Sequence, residues 1–206
     1  MSETKETRPP RPGEEIDPAA LASYLAENGI GGEVQISQFP AGSSNLTYLI
    51  AAGGSEFVLR RPPFGNVVKS AHDMRREFDV LSKLNAVYSK APRPLLFCDD
   101  VSMIGSEFYL MERRSGLIIR GTAPDAMLTN ANERDAVCRA FISDLARLHA
   151  IDHRAAGLSD LGNPDGYNRR QVEGWAKRYD ASATDDLPEM ERVADWLARK
   201  IGRAHV

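Results

Sequence analysis

Two residues of opposite charge, Arg60 and Glu77, have the types and placement needed to bind phosphate groups. Arg60 lies in the segment FVLRR, whose alternation predicts a strand, and Glu77 lies in RREF within a predicted helix. A guanidinium stays charged at every cellular pH and can grip a carboxylate with two hydrogen bonds while it neutralises phosphate oxygens. Alternatively, Arg60 is part of a solvated strand face and Glu77 is an exposed helix residue. Because both residues occur together in adjacent elements, we favour the phosphate site.

A turn of small residues precedes these two elements. Gly42, Ser43, Ser44 and Asn45 offer backbone N–H groups with little side-chain bulk. A loop of this kind can lie over phosphates. The same residue types dominate ordinary hairpin turns, so a turn without a ligand is the alternative interpretation.

The segment EFYLMERRSG is a third candidate. Backbone groups from Met111 to Arg113 could bond the edge of an adenine ring, and Leu110 or Met111 could pack against it. The alternative is a buried strand without a binding role.

Histidine and cysteine do not predict a metal site. Cys98 and Cys138 lie far apart and form no CxxC pair. His149 and His153 share an i, i+4 spacing, but no third ligand follows with zinc-like spacing. We interpret them as residues of a helix end, where the dipole favours histidine.

The elements that must position these candidates change from strands to helices along the chain. The periodicity predicts an α+β fold: a helix from Asp17, three antiparallel strands, a helix, two strands, and then three helices. The predicted strands cover 33–39, 46–52, 56–62, 94–101 and 107–114. The predicted helices after the first cover 70–84, 132–150, 163–179 and 188–200.

Composition and pattern divide the chain into four parts. Residues 1–16 are rich in proline and charge and are predicted to be a disordered leader. Residues 17–113 form a strand-rich lobe, and residues 114–199 form a partial helical lobe. The last residues, IGRAHV, match the translation of a common sequencing adapter, so we expect 200–206 to be adapter-derived and the natural chain to continue.

The order of these elements is that of a protein-kinase-like small lobe followed by a helical large lobe. Arg60 then occupies the position at which protein kinases have the lysine of VAIK. The segments FPAGSSNLTYLI, FVLRRPPFG, RREF, FYLMERRSG, LARLHAID, GLSDLG and GYNRRQVEGWAKRY resemble the aminoglycoside-phosphotransferase-like family. They are most similar to the branch that is sometimes fused to acyl-CoA dehydrogenase domains.

This resemblance implies an ATP-dependent transfer of the γ-phosphate to a hydroxyl of a small molecule. By the resemblance, Gly42, Ser43, Ser44 and Asn45 match the phosphate loop, Arg60 the cation and Glu77 its helix partner. The expected partners are a nucleotide and a small hydroxylated metabolite such as a hydroxyacyl-CoA.

The family's HGDxxxxN catalytic loop and its metal-binding Asp are not found. None of the four histidines is followed by Gly-Asp. We therefore expect no catalytic residue here, Mg²⁺ only in the intact protein, and an inactive C-terminally truncated chain. A non-catalytic nucleotide-binding or scaffold module is the alternative.

Composition excludes several other classes of protein. The net charge of −3 argues against a broad nucleic-acid-binding surface. No apolar run approaches the length of a membrane span, and the N-terminus has no apolar signal segment, so we expect a cytoplasmic protein without membrane partners.

Overall fold

A computed structural model describes residues 6–40, 45–64, 73–116, 119, 130–163 and 165–201 of the chain. The chain divides into two compact units, Met1–Leu158 and Ser159–Val206. Each unit is considered by itself below.

The first unit contains a five-stranded antiparallel sheet with helices, as the sequence predicted. The strands are hydrogen-bonded in the order β1-β2-β3-β5-β4, so β5 lies between β3 and β4. The helices of this unit are α1 (Pro18–Glu27), α2 (Met74–Val87) and α3 (Ala131–His149). The strands are β1 (Gln35–Gln38), β2 (Leu46–Ala52), β3 (Ser55–Arg61), β4 (Pro94–Cys98) and β5 (Phe108–Glu112).

Helix α1 contributes to the core that buries one face of the sheet. Asp17 caps the helix by accepting a hydrogen bond from the Ala19 N–H at 2.9 Å, and Pro18 occupies its first turn. Leu21 and Leu25 of α1 are fully buried and belong to the same core as alternate residues of β2. Full burial of a leucine stabilises the fold by roughly 1.5–3 kcal/mol.

The β2–β3 hairpin fixes which arginine faces the core. Its register pairs Thr47 with Arg60 and Leu46 with Arg61. Because successive side chains of a strand point to opposite faces, Arg60 and Arg61 lie on opposite sides of the sheet. Arg61 is 1% exposed, and its Nη1 donates to the Ile104 carbonyl at 2.7 Å, whereas Arg60 faces away from the core.

The disordered leader predicted over 1–16 does not describe residues 6–16. Arg8 forms a backbone bridge with Gln38, and the Tyr48 hydroxyl donates to the Glu14 carbonyl at 2.7 Å. Ile16 is 5% exposed. Composition alone could not predict these contacts, because they depend on the buried polar residues Gln38 of β1 and Tyr48 of β2.

The boundary between units also differs from the predicted boundary at 113/114. Helix α3 belongs to the first unit. The Tyr88 hydroxyl donates to the Asp144 carbonyl at 3.5 Å, and Lys90 forms an ion pair with the Asp144 carboxylate. These contacts join α3 to the end of α2, although composition groups α3 with the later helices.

The second unit consists of a short 3-10 helix, Ser159–Leu161, followed by α4 (Tyr167–Ser182) and α5 (Pro188–Lys200). Helices α4 and α5 line an apolar groove of about 480 Å³. Trp175 of α4 and Trp196 of α5 are more than half exposed. Within the part of the chain that the structure describes, no helix has both the length and the apolar character needed to cross a membrane.

The turn between β2 and β3 gives a testable prediction. Gly53 and Gly54 have φ values of +57° and +76°, and a Cβ at Gly53 would lie 2.7 Å from the Gly31 carbonyl oxygen. A Cβ at Gly54 would meet nothing within 4 Å. Because both alanines suffer the same backbone strain but only one clashes, Gly53→Ala should lower the free energy of unfolding by about 1–3 kcal/mol more than Gly54→Ala. Urea denaturation measures both, and equal losses would contradict the clash.

Candidate functional site

The structure brings Arg60 and Glu77 together, as the sequence predicted. Arg60 is the second-last residue of β3, and Glu77 lies in the first turn of α2. Asp73 caps this helix by accepting a hydrogen bond from the Arg76 N–H at 2.8 Å. Arg60 Nε lies 3.2 Å from Glu77 Oε2, and Arg60 Nη2 donates to Glu77 Oε1 at 3.5 Å. About a third of each side chain is exposed, so the pair is accessible from solvent.

Two neutral donors hold the same carboxylate. The Tyr109 hydroxyl donates to Glu77 Oε2 at 2.9 Å, and Asn45 Nδ2 donates to Glu77 Oε1 at 2.8 Å. Both residues are buried. Each carboxylate oxygen therefore contacts Arg60 and one neutral donor.

Sequence reasoning missed Tyr109. This residue pairs directly with Arg60 across β3 and β5, so both side chains lie on the same face of the sheet. The available signal was a tyrosine alternating with the apolar residues Phe108 and Leu110. Its partner became evident only once β5 was placed beside β3.

The electrostatics keep Tyr109 a hydrogen-bond donor. Burial raises the pKa of its hydroxyl well above the usual value, and the nearby Glu77 carboxylate raises it further, while Arg60 acts in the opposite direction. The hydroxyl consequently retains its proton throughout the physiological range of pH.

Arg60 and Glu77 open onto a cleft of about 450 Å³. Arg60 Nε is buried and makes no hydrogen bond to any residue that the structure describes, so its contact with Glu77 is an ion pair without hydrogen-bond geometry. The lining carries two arginines and two carboxylates, and a guanidinium on the wall can form hydrogen bonds with an anion. The lining residues are Arg60, Asp73, Arg76, Glu77, Val80, Leu81 and Tyr109.

The predicted phosphate loop is only partly described. Gly42, Ser43 and Ser44 lie outside the described residues, so their role stays a prediction. Asn45, the last residue of that set, directs its side-chain amide to Glu77.

The predicted base-binding segment lies further along β5. Met111 pairs with Val58 and lies on the same face of the sheet as Arg60. Arg113 forms ion pairs with Glu56 and with Glu6, the latter at 2.6 Å. Although burial opposes the charge, hydrogen bonds to these two carboxylates raise the pKa of Arg113. Its side chain is thus held by acidic partners, and binding of a base to this segment stays a prediction.

The described residues contain no cluster of potential metal ligands. Across these ranges, no three His, Cys, Asp or Glu side chains come together in a group that could hold a metal ion. His149 is the last residue of α3, in agreement with the interpretation of a helix end.

Comparisons with known proteins indicate a family of phosphotransferases. The profile of a family described as "Phosphotransferase enzyme family" matches residues 35–204. Acyl-CoA dehydrogenase family member 11 of Gallus gallus is 41% identical over 90% of this chain and 24% of its own length. Family member 10 of Mus musculus is 36% identical over 96% of this chain and 18% of its own length. The chain therefore spans a quarter or less of these relatives.

A solved structure shares the fold. The crystal structure of a protein from Ralstonia eutropha, assigned as an aminoglycoside phosphotransferase, superposes with a TM-score of 0.66 and 30% sequence identity. The match covers 90% of this chain and 54% of that one.

The shared carboxylate gives a testable prediction. Glu77→Ala leaves the buried Tyr109 hydroxyl without its acceptor and also removes the hydrogen bond from Asn45 Nδ2, which should lower the free energy of unfolding by about 1–3 kcal/mol. The control is Asp79→Ala on the same helix, which removes an exposed i, i+4 pair with Arg75 and should cost under about 0.5 kcal/mol. Urea denaturation followed by circular dichroism compares the two, and equal effects would show that the Glu77 contacts contribute no more stability than an exposed ion pair.

Proposed function

The chain belongs to the phosphotransferase enzyme family, and from this premise we propose that the Arg60–Glu77 cleft binds the phosphates of a nucleoside triphosphate. The fold is the kinase-like fold of aminoglycoside phosphotransferases, and the family membership supports a small-molecule phosphotransferase. The proposed donor is ATP.

One observation carries this proposal: the guanidinium of Arg60 is held against a helix carboxylate at the wall of a cleft. Had the two groups lain on opposite surfaces, no common phosphate site would exist. Phosphoryl transfer depends on positioning and on neutralisation of charge, and a fixed cation supplies both.

Arg60 would contact phosphate oxygens, and Glu77 would orient Arg60. Asn45 would join the loop of Gly42, Ser43 and Ser44, which would cover the phosphates with backbone N–H groups. Met111 and Arg113 would contribute backbone groups to the base. Mg²⁺ is expected only in the intact protein.

The proposed acceptor is the hydroxyl of a small metabolite. The relatives named above are acyl-CoA dehydrogenase family members, and this supports a hydroxyacyl-CoA as the substrate class. The phosphoryl group would pass from ATP to the substrate oxygen, with ADP as the other product and the hydroxyl proton released.

A second candidate is a non-catalytic nucleotide-binding or scaffold module. One feature of the sequence favours this candidate. No histidine is followed by Gly-Asp, so the sequence lacks the HGDxxxxN motif. A nucleotide-binding module would bind nucleotide as the phosphotransferase does but would show no turnover, whereas a scaffold module would require neither.

Nucleotide binding is tested by Arg60→Met, which keeps an unbranched side chain but removes the charge. We expect the affinity for a non-hydrolysable ATP analogue, measured by isothermal titration calorimetry, to fall about tenfold or more, because a hydrogen bond to a charged group contributes about 1.5–3 kcal/mol. The matched control is Arg139→Met, which removes an exposed helix pair with Asp135. Unchanged affinity in Arg60→Met would refute the phosphate site.

Turnover is tested with the 206-residue chain itself. We expect no ATP-dependent phosphorylation of hydroxylated metabolites, hydroxyacyl-CoA included, because the sequence contains no HGDxxxxN loop to orient the attacking hydroxyl. Transfer of labelled phosphate that is abolished by Glu77→Ala would contradict this expectation.

A further inference from the structure

We propose that Tyr109 is a positioning residue that holds Glu77 so that Arg60 keeps N–H groups available for phosphate. This inference rests on the proposed function, and it concerns a residue that does not touch the nucleotide. Asn45 acts on the other carboxylate oxygen in the same way.

The distances show which contacts fix the carboxylate. Tyr109 and Asn45 approach Glu77 at 2.9 and 2.8 Å, whereas the two Arg60 contacts measure 3.2 and 3.5 Å. Charge-assisted contacts are ordinarily about 2.7–2.9 Å long. The neutral donors therefore bind Glu77 more closely than its cationic partner does.

Tyr109 is well placed for this role because it cannot move easily. It is 1% exposed, lies in β5 directly opposite Arg60, and packs edge-on against Phe78 with ring centroids 6.2 Å apart. Phe78 follows Glu77 in α2. The Tyr109 side chain therefore bonds the carboxylate through its hydroxyl and contacts the helix that carries it through its ring.

The Tyr109 hydroxyl and Arg60 both contact the same oxygen of Glu77, so loss of one contact affects the other. When the Tyr109 hydroxyl is present, Glu77 Oε2 accepts a hydrogen bond that does not come from Arg60. Without the hydroxyl, Arg60 Nε is the remaining described neighbour of that oxygen, so the carboxylate closes on the guanidinium. The guanidinium then has fewer N–H groups to offer to phosphate.

A double-mutant cycle on the full chain tests this coupling. The four proteins are the wild type, Tyr109→Phe, Arg60→Met and the double variant, and the measured quantity is the Kd of a non-hydrolysable ATP analogue. We expect Tyr109→Phe to weaken binding roughly fivefold, corresponding to about 1 kcal/mol, in the wild type and to have no effect in the Arg60→Met background. Binding of adenosine, which has no phosphates, should not change.

The control is Tyr48→Phe. This substitution also removes a buried tyrosine hydroxyl, which donates to the Glu14 carbonyl on the opposite face of the sheet. It should leave the Kd unchanged, and thermal melts establish that each variant is folded. Asn45→Ala provides a second test with the same expected dependence on Arg60.

The outcomes separate the inference from the proposed function. Equal losses from Tyr109→Phe in both backgrounds, or a parallel loss of adenosine binding, would overturn the positioning role while leaving nucleotide binding intact. No loss in the wild-type background would do the same if Arg60→Met still weakens binding. If Arg60→Met has no effect, the proposed function fails and the inference fails with it.

Discussion

The site depends on a carboxylate that is shared by three donors from three separate stretches of the chain. Glu77 lies in α2. Of its donors, Arg60 lies in β3, Tyr109 lies in β5, and Asn45 immediately precedes β2. Because each donor is attached to a separate part of the backbone, the carboxylate ties the helix to the central strands of the sheet. Both oxygens of this partly buried carboxylate accept hydrogen bonds, which offsets the cost of its partial desolvation.

The two faces of the sheet give neighbouring arginines different roles. Arg61 is buried, donates to the Ile104 carbonyl and stacks over the Phe64 ring at 4.0 Å. Burial lowers its pKa, whereas the nearby Tyr48 and Glu14 act in the opposite direction. Arg60 is partly exposed and lies at the cleft. The period of the strand separates a cation that stabilises the core from one that is available to a ligand.

Local sequence patterns were sufficient for the elements and for the Arg60–Glu77 pair. Alternation in β2 and β3 and the apolar spacing in α2 predicted these elements, and the order of the elements placed Arg60 and Glu77 in one site. Tyr109 could not be assigned in this way, because its contact with Glu77 requires β5 to insert between β3 and β4. The order of residues 6–16 was missed for a related reason: Gln38 and Tyr48, their buried partners, lie far along the chain. Non-local pairing, rather than local propensity, accounts for both omissions.

The insertion of β5 beside β3 has a consequence for how accurately the cation is placed. β3 is hydrogen-bonded along both edges, to β2 on one side and to β5 on the other. A slip of β3 by one residue against both neighbours would send Arg60 into the apolar interior and bring Arg61 out. A slip of two residues would preserve the face but carry the charge about 6.6 Å along the strand axis. Two independent ladders must therefore break before the charge can be displaced, and its coordinates are set by the backbone rather than by the flexibility of its own side chain.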